Sequence, residues 1–400
     1  MPKATVRDIE VSGKRVLVRV DFNVPMDGKT GQITDDSRIR ATLPTISYLT
    51  RKGARLILCS HLGRPKGKVV ESLSLAPVGR YLAGVLGQPV ALTGDCIGPE
   101  AERAAASLKN GQILLLENLR FHPEEEKNEA SFARALARLA EVYVNDAFGA
   151  SHRAHASIVG VAAYLPAVAG LLLEKELDRL GHILETPAHP FAVLLGGAKI
   201  SDKVGMLDNI MPRVDHILVG GGMAAIFLQA RGYQVGLSLV EDSQETATRL
   251  MAKAASSGVK LWLPEDVLVA AEVSAEAKPR PVSIDHIPAD QRIVDIGERT
   301  VSRFSQELKQ CRTIFWNGPI GIYEIPRFAG GTQAMARLLA SLKATTIIGG
   351  GSTAEVVAQL GLADKMGFVS TGGGASLRFL SGESLPGVEA LRDKEAIANG

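Results

Sequence analysis

The residues of this sequence whose type and spacing most clearly suit ligand binding are the glycines of several glycine-rich turns. Three stretches, at 216–224, 345–357 and 367–380, each place a run of glycines directly after an apolar segment, and a fourth at 191–204 adds two lysines. Glycine lets the backbone approach a ligand closely. A helix that follows such a turn presents unpaired N–H groups, which suit phosphate oxygens. The four stretches together predict a site for a polyanionic ligand.

Basic side chains recur at the ends of apolar segments in the first half of the chain. The polar residues at these points are Asp21 and Asn23, His61 and Arg64, Arg120, and His152, Arg153 and His155, with Arg38 near the start of a predicted helix. An arginine fork binds carboxylate or phosphate oxygens in bidentate fashion. Arginines that converge at one edge of a sheet would therefore suit a small, highly charged anion.

Two other groupings in this half are given no role in catalysis. His152 and His155 lack a third ligand at matching spacing, so we do not expect a zinc site there. The acidic run Glu124–Glu126 is interpreted as a solvated face.

The elements that must position these residues alternate regularly. The predicted strands are at 15–22, 55–61, 89–93, 112–119 and 142–147, followed by FAVLLG, HILVGG, KLWLPED, TIFWNGP, TTIIGG and GFVSTGG; helices such as 36–53 and 129–141 lie between them. Continuous apolar strands spaced by helices indicate parallel sheets covered on both faces. Ligands of such sheets bind outside the carboxyl ends of the strands, which is where the polar residues stand.

Length and composition limit the class of protein. The chain has 400 residues, of which 46% are hydrophobic, and a net charge of +2. The length predicts two domains, with a connecting helix at 171–185. The charge balance argues against nucleic-acid or membrane binding. Three isolated cysteines and an N-terminus without a long apolar region favour a reducing cytoplasm.

The order of the motifs resembles one known family. RVDFNVP, SHLGRP, LLLENLRFHPEEE, NDAFGASHRAHAS, LGGAKISDK, VGGGMA, WNGPIGIYE, IGGGSTAE and STGGGASL follow one another as in phosphoglycerate kinases, over about residues 15–390. The resemblance implies an α/β fold of two doubly wound parallel-sheet (Rossmann-like) domains joined by a helix. The expected domains are 1–170 for 3-phosphoglycerate and 186–385 for the nucleotide, with 386–400 packing back on the first. A monomer is expected.

The resemblance also implies roles for individual residues. Those for 3-phosphoglycerate or 1,3-bisphosphoglycerate are Asp21, Phe22, Asn23, Arg38, His61, Leu62, Gly63, Arg64, Arg120 and Arg153. Those for ATP or ADP are Lys203, Gly220, Gly221, Gly297, Glu324, Gly350, Gly351, Ser352 and Thr353. Catalytic roles fall to Arg38, Lys199 and Gly373, with Mg²⁺ accompanying the nucleotide. Closure of the two domains would exclude water from the transfer.

One position departs from the family pattern. Ser352 stands where most members have an aspartate that helps to hold magnesium, so the protein ligands of the metal stay unassigned. A serine hydroxyl can still cap the following helix and can contact a metal-bound water. LPED at 263–266 also varies, although Asp266 is kept. The alternative to an enzyme is a family member that binds nucleotide without turnover. A dinucleotide-binding dehydrogenase is disfavoured because no GxGxxG opens the first βα unit.

Overall fold

The computed structural model describes residues 2–240 and 243–395. Contacts divide the chain into two compact units: residues up to Asp178 together with those from Ser384 onward, and Arg179–Glu383. Helix α6, Leu171–Glu185, contains the point of division.

The first unit is built on a six-stranded parallel sheet. Its strands are β1 Arg15–Arg19, β2 Arg55–Cys59, β3 Val90–Leu92, β4 Ile113–Leu115, β5 Val142–Asn145 and β6 Ala167–Ala169, in the spatial order β3-β4-β2-β1-β5-β6. Its helices are α1 Ser37–Arg51, α2 Ala76–Leu86, α3 Gly98–Ser107, α4 Pro123–Glu126, α5 Ala130–Ala137 and α14 Pro386–Glu389. Helix α1 buries Ile39, Ile46 and Leu49 at helical spacing, which packs it on the apolar strands.

The C-terminal segment completes the first unit. Gly387 N donates to Ser151 O at 2.9 Å, and Asn145 Nδ2 donates to Gly387 O at 3.0 Å. Arg392 N donates to Ala167 O at 3.0 Å. These bonds attach 386–395 to the ends of β5 and β6, while 396–400, the rest of the segment expected to pack here, lies outside the described residues.

The second unit contains a second six-stranded parallel sheet and a small antiparallel one. The parallel strands are β7 Phe191–Leu195, β8 His216–Val219, β9 Lys260–Trp262, β13 Thr313–Asn317, β14 Thr345–Gly349 and β15 Phe368–Val369, in the order β15-β14-β13-β7-β8-β9. The antiparallel strands are β10 Asp266–Ala270, β11 Arg280–Ser283 and β12 Arg292–Ile296, with β10 in the centre. The helices are α7 Val204–Ile210, α8 Gly221–Ala230, α9 Gln244–Ser256, α10 Glu298–Leu308, α11 Gly330–Ser341, α12 Gly351–Gln359 and α13 Gly374–Leu380.

The predicted α/β class with two parallel sheets is confirmed. The single strand predicted for KLWLPED is wrong, because β9 ends at Trp262 and β10 begins at Asp266 in a different sheet. Strands β1 and β2 end at Arg19 and Cys59, two to three residues before their predicted ends. The polar residues that follow them therefore lie in loops.

Candidate functional site

The predicted basic residues of the first unit lie beyond four adjacent strands. Strands β4, β2, β1 and β5 are neighbours in the sheet and all run parallel. Their carboxyl ends lead into Arg120, His61, Asp21 and Arg153 respectively. Because the carboxyl ends of parallel strands lie at the same edge of a sheet, this order brings the four segments close together at that edge. Arg38 comes from the first turn of α1.

Asp21 holds Arg38 in place. Arg38 Nη1 lies 2.9 Å from Asp21 Oδ2, and the Asp21 side chain is only 10% exposed. Its other oxygen, Oδ1, accepts the Asn23 backbone N–H at 3.2 Å. The carboxylate is therefore used to orient its neighbours, and the Arg38 side chain, at 32% exposure, keeps part of its surface open to solvent.

The loop after β2 is fastened on both sides. Gly63 N donates to Asn23 Oδ1 at 2.8 Å, and Arg120 Nη1 donates to Gly63 O at 2.8 Å. Gly63 has a φ of +64°, a left-handed conformation that a side chain would strain. Phe22 and Leu62 are buried core residues, so they contribute to this site through their backbone and packing. Arg64 is exposed.

Positive charge accumulates around His61. Burial holds the pKa of the His61 imidazole well below its usual range, and the charges of Arg19, Arg120, Arg153 and Arg38 lower it further. Burial followed by the charge of Arg153 also lowers the pKa of Arg120. A neutral imidazole among four guanidinium groups indicates a pocket built for a multiply charged anion.

The interpretation of Glu124–Glu126 as a solvated face is wrong for Glu125. This side chain is fully buried and accepts hydrogen bonds from Ser157 Oγ at 2.6 Å and Ser157 N at 2.9 Å. The neighbouring Glu126 Oε1 lies 3.2 Å from Arg120 Nε. Sequence reasoning also passed over Arg19, which is 1% exposed at the end of β1. The only available signal was a charged residue that directly follows the apolar run 16–18 of β1.

The glycine loops of the second unit border a cavity of about 560 Å³. Four of its lining residues are glycines of two loops, namely Gly350 and Gly351 after β14 and Gly373 and Gly374 after β15. Both loops lead directly into helices, α12 and α13. Backbone N–H groups at two helix starts therefore border one space, which suits phosphate oxygens.

Asn317, which sequence reasoning missed, lines the same cavity from the end of β13. The residue is 3% exposed, and Nδ2 has no hydrogen-bond partner in the part of the chain that the structure describes. A β-carbon at Gly350 would lie only 3.2 Å from this nitrogen. A buried donor without a partner costs free energy. The unpartnered Asn317 Nδ2 therefore indicates that a ligand supplies the acceptor.

A second cavity of about 380 Å³ is lined by Gly221, Glu324 and Ser352 among the predicted nucleotide residues. Its wall includes Leu239 and Val273, which are 84% and 44% exposed. Exposed apolar side chains beside a glycine-bordered space are typical of a pocket for a planar ring.

The structure does not bring Gly297 to either cavity. It caps α10 against Asp266, whose carboxylate bonds Thr300 N at 2.8 Å.

The remaining nucleotide candidates lie beside these spaces. Lys203 is 7% exposed, and its Nζ would lie 3.6 Å from a β-carbon at Gly197, a residue that lines the second cavity. Lys199 is exposed. Thr353 is buried, and its hydroxyl accepts the Gly318 N–H at 2.8 Å. Gly220 is the residue before α8, and a β-carbon there would lie 2.5 Å from Ile320 Cγ2.

Ser352 does not cap the following helix. Gly350, with a φ of +90°, is the residue before α12, and Ser352 is the second residue of that helix with no side-chain capping bond. Its hydroxyl instead reaches the Tyr323 hydroxyl, which also donates to Glu355 Oε2 at 3.1 Å. Burial and the bond to Glu355 raise the pKa of Tyr323.

Oxygen ligands for a hard cation are present in the first cavity, where Asp202 and Glu383 line the wall. In the first unit, Asp95, Cys96 and His122 form a separate cluster of metal-ligand types, in which Asp95 Oδ1 lies 2.7 Å from His122 Nε2. The Asp95 carboxylate and the His122 imidazole satisfy each other through an ordinary hydrogen bond.

Among the described residues, no helix has the length and apolar character that crossing a membrane requires.

Comparisons with known proteins agree on one family. The family model for phosphoglycerate kinase matches residues 6–383. The phosphoglycerate kinase of Moorella thermoacetica is 54% identical over 395 residues, which cover 98% of this chain and 100% of the relative. The enzyme of Roseiflexus sp. is 55% identical over 396 residues, with the same coverage.

Solved structures agree with the sequence relatives. The phosphoglycerate kinase from Coxiella burnetii superposes with a TM-score of 0.85 at 40% identity, covering 97% of this chain and 98% of that one. The phosphoglycerate kinase from Pyrococcus horikoshii gives 0.86 at 31% identity, covering 100% and 99%.

Proposed function

Because the chain belongs to the phosphoglycerate kinase family, we propose that it transfers a phosphoryl group reversibly between ATP and the carboxylate of 3-phosphoglycerate. The products of this direction are ADP and 1,3-bisphosphoglycerate. The alternative of a binding protein without turnover has no support among the relatives, which are named as kinases over nearly the whole chain.

The observation that carries this proposal is the convergence of four arginines on His61 at the edge of the first sheet. A phosphate and a carboxylate on one small molecule need several guanidinium forks at once. The direct test is a coupled assay for ADP formed from ATP and 3-phosphoglycerate. Absence of ADP from a folded, pure protein that still binds nucleotide would favour the binding protein.

No general base is needed in this reaction. A carboxylate with a pKa of about 4 is already ionised at neutral pH, and His61 is held neutral. The work left for the protein is positioning and charge stabilisation in a loose, in-line transition state. We assign this to Arg38, to the exposed Lys199 and to the backbone amides of the Gly373 loop. Asp21, Asn23, Gly63, Arg64, Arg120 and Arg153 would bind 3-phosphoglycerate.

The two cavities of the second unit divide the nucleotide between them. We propose that the phosphates occupy the first, against Gly350, Gly351 and Asn317, and that the base and ribose occupy the second, near Gly221 and Glu324. Lys203 would pair with the phosphates. Ile293 and Val294 of β12 line the second cavity, so we expect contacts from this strand in place of any from Gly297.

The residues present fit a magnesium–nucleotide complex. Magnesium takes oxygen ligands, keeps several waters, and is usually held by one or two carboxylates together with substrate phosphates. Asp202 lines the cavity that also contains Gly350 and Gly351. We propose that Asp202 supplies the carboxylate that Ser352 lacks. The ion, when bound, neutralises charge on the phosphates.

Replacing Ser352 by aspartate is expected to tighten the apparent magnesium affinity while wild-type activity stays strictly magnesium-dependent. The new carboxylate would stand in the first turn of α12, where a negative charge is also favoured by the helix dipole. A magnesium titration of activity at fixed ADP measures the half-saturation point. Ser352→Asn, which adds no charge, is the matched control. Equal half-saturation for all three proteins would mean that position 352 does not sense the metal.

Transfer requires two ligands bound by different units to meet, so we propose that both ligands together drive closure about α6. Water must be kept from the acyl phosphate, and such closure is a common rate-determining motion. Solution scattering is expected to give a smaller radius of gyration with 3-phosphoglycerate and magnesium–nucleotide than without ligands. An unchanged radius at saturation would contradict closure. Each ligand alone serves as the control.

We also propose that the protein works as a monomer in a reducing, cytoplasmic compartment. In support, Cys59, Cys96 and Cys311 are all buried free thiols, which is usual for proteins kept from oxidants.

A further inference from the structure

A chain of buried polar contacts links Glu125 to the substrate patch. Glu125 is fully buried, and its Oε1 accepts the Ser157 hydroxyl at 2.6 Å. A hydroxyl that donates in one direction can accept in the other, and Ser157 Oγ accepts Arg19 Nε at 2.9 Å. Arg19 is 1% exposed and also donates to the Val20 carbonyl. The Arg19 guanidinium is therefore held from two sides.

The next contact determines which nitrogen of His61 carries hydrogen. Arg19 Nη2 lies 3.2 Å from His61 Nδ1. A guanidinium has donors only, so Nδ1 must be the accepting nitrogen. In a neutral imidazole the hydrogen then resides on Nε2. Asp21 Oδ1 lies 4.0 Å from the same Nδ1, too far for a hydrogen bond, so this carboxylate does not compete for a proton on the ring.

The other ring nitrogen, Nε2, makes no hydrogen bond within residues 2–240 and 243–395, although His61 is 95% buried, at 5% exposure. The charged groups that face the ring are Arg19 from β1, Arg38 from α1, Arg120 after β4, Arg153 after β5, and Asp21. Nε2 is not one of the buried side-chain atoms that lack a partner, so this nitrogen is open to solvent and to a ligand. An N–H donor that opens among the charges of four guanidinium groups suits an anionic acceptor.

We propose that Glu125, Ser157 and Arg19 are positioning residues that fix His61 as the Nε2–H tautomer, so that it binds 3-phosphoglycerate as a neutral hydrogen-bond donor. This inference rests on the proposed function only for the identity of the ligand. The arginines already supply charge, and the imidazole adds a directed donor without further repulsion among them. Nothing is protonated or deprotonated at His61 during turnover.

The tautomer is tested without any activity. Protein labelled with ¹⁵N-histidine has 8 imidazoles, and the His61 signals are those absent from the His61→Gln spectrum. Between roughly pH 6 and 8, where a free imidazole titrates, we expect a protonated-type Nε2, an unprotonated-type Nδ1 and no titration. A hydrogen on Nδ1, or a charged ring, would overturn the proposal even if the kinase assay is positive. Failure of the kinase assay would leave this spectrum unaffected.

Two substitutions at His61 separate the two ring nitrogens kinetically. The amide nitrogen of glutamine reaches the place of Nε2, whereas that of asparagine reaches only the place of Nδ1. We expect His61→Asn to raise KM for 3-phosphoglycerate about tenfold or more, as loss of a bond to a charged group does, and His61→Gln to raise it much less. The reverse order would overturn the role of Nε2.

Ser157→Ala tests the chain that holds the ring. We expect a mixture of the two tautomers in the spectrum and a several-fold rise in KM with little change in kcat. The control is Tyr143→Phe, which removes a different buried bond to the same residue, from the Tyr143 hydroxyl to Ser157 O at 2.8 Å. It should leave both the tautomer and KM unchanged. An unchanged tautomer in Ser157→Ala, or equal effects in both variants, would overturn the positioning role.

Discussion

Replacing Arg38 by alanine is expected to lower kcat by about a hundredfold or more, the usual cost of removing a preorganised charge donor at a developing charge. Arg38 is held by Asp21 at 2.9 Å while part of its surface stays accessible. This geometry fixes the guanidinium before any ligand arrives, so we expect its charge to stabilise the transition state without reorganisation. Steady-state kinetics in the coupled assay measures the effect, with circular dichroism to confirm folding.

Arg120→Ala is the matched variant for this prediction. Its guanidinium contacts Gly63 O and Glu126, so we expect it chiefly to shape the loop that we propose binds 3-phosphoglycerate. We expect a raised KM with kcat lowered much less. A near-normal kcat for Arg38→Ala would show that Arg38 acts in binding alone. A larger kcat loss for Arg120→Ala than for Arg38→Ala would contradict the division of roles between the two arginines.

Gly196→Ala is expected to destabilise the second unit by about 3 kcal/mol or more, a size that marks steric conflict with backbone. A β-carbon at Gly196 would lie 2.0 Å from Pro319 O and 2.6 Å from Gly318 O. These oxygens cannot move without breaking the loop, because Pro319 O also accepts the Gly197 N–H at 2.8 Å. Denaturant unfolding measures the loss, and nucleotide affinity should fall with it.

The control for Gly196→Ala is another glycine of the same unit. Gly181 lies within α6, and a β-carbon added there would have no atom within 4 Å. Gly181→Ala should leave stability unchanged or raise it by up to about 1 kcal/mol, since alanine is the better helix former. Unfolding of Gly196→Ala at the wild-type denaturant midpoint would contradict the packing argument.

The sequence was sufficient for both parallel sheets except the short edge strand β6, Ala167–Ala169, and for the glycine loops that border the two cavities. Apolar runs such as TTIIG and FAVLL are strands buried on both faces, and a pattern of that kind is visible in a single sequence. The antiparallel sheet was missed because β11, Arg280–Ser283, has exposed and half-buried residues and two prolines nearby. Its pairing with β10 decides that it is a strand, and pairing is not visible locally.

The surroundings of polar side chains were what the sequence predicted least well. Glu125 stands in an acidic run that looks solvated, yet its partner Ser157 is distant in sequence and is brought to it by the fold. Asn317 looks like an ordinary strand residue, but the fold buries its amide beside Gly350, where Nδ2 has no partner among the described residues. A serine at position 352 is able to cap a helix, but α12 begins at Gly351, with Gly350 at positive φ as the residue before it. In each case the missing information is the conformation or contact that the fold imposes.

The bonds of Gly387 to Asn145 and Ser151 have a consequence for the order in which the chain matures during synthesis. The second unit is a continuous stretch inserted between two parts of the first. At about 5–20 residues per second, translating its ~200 residues takes roughly 10–40 s. Throughout that interval the loop after β5 lacks its last partners. The inserted unit can therefore be folded on the ribosome before the unit that precedes it is complete.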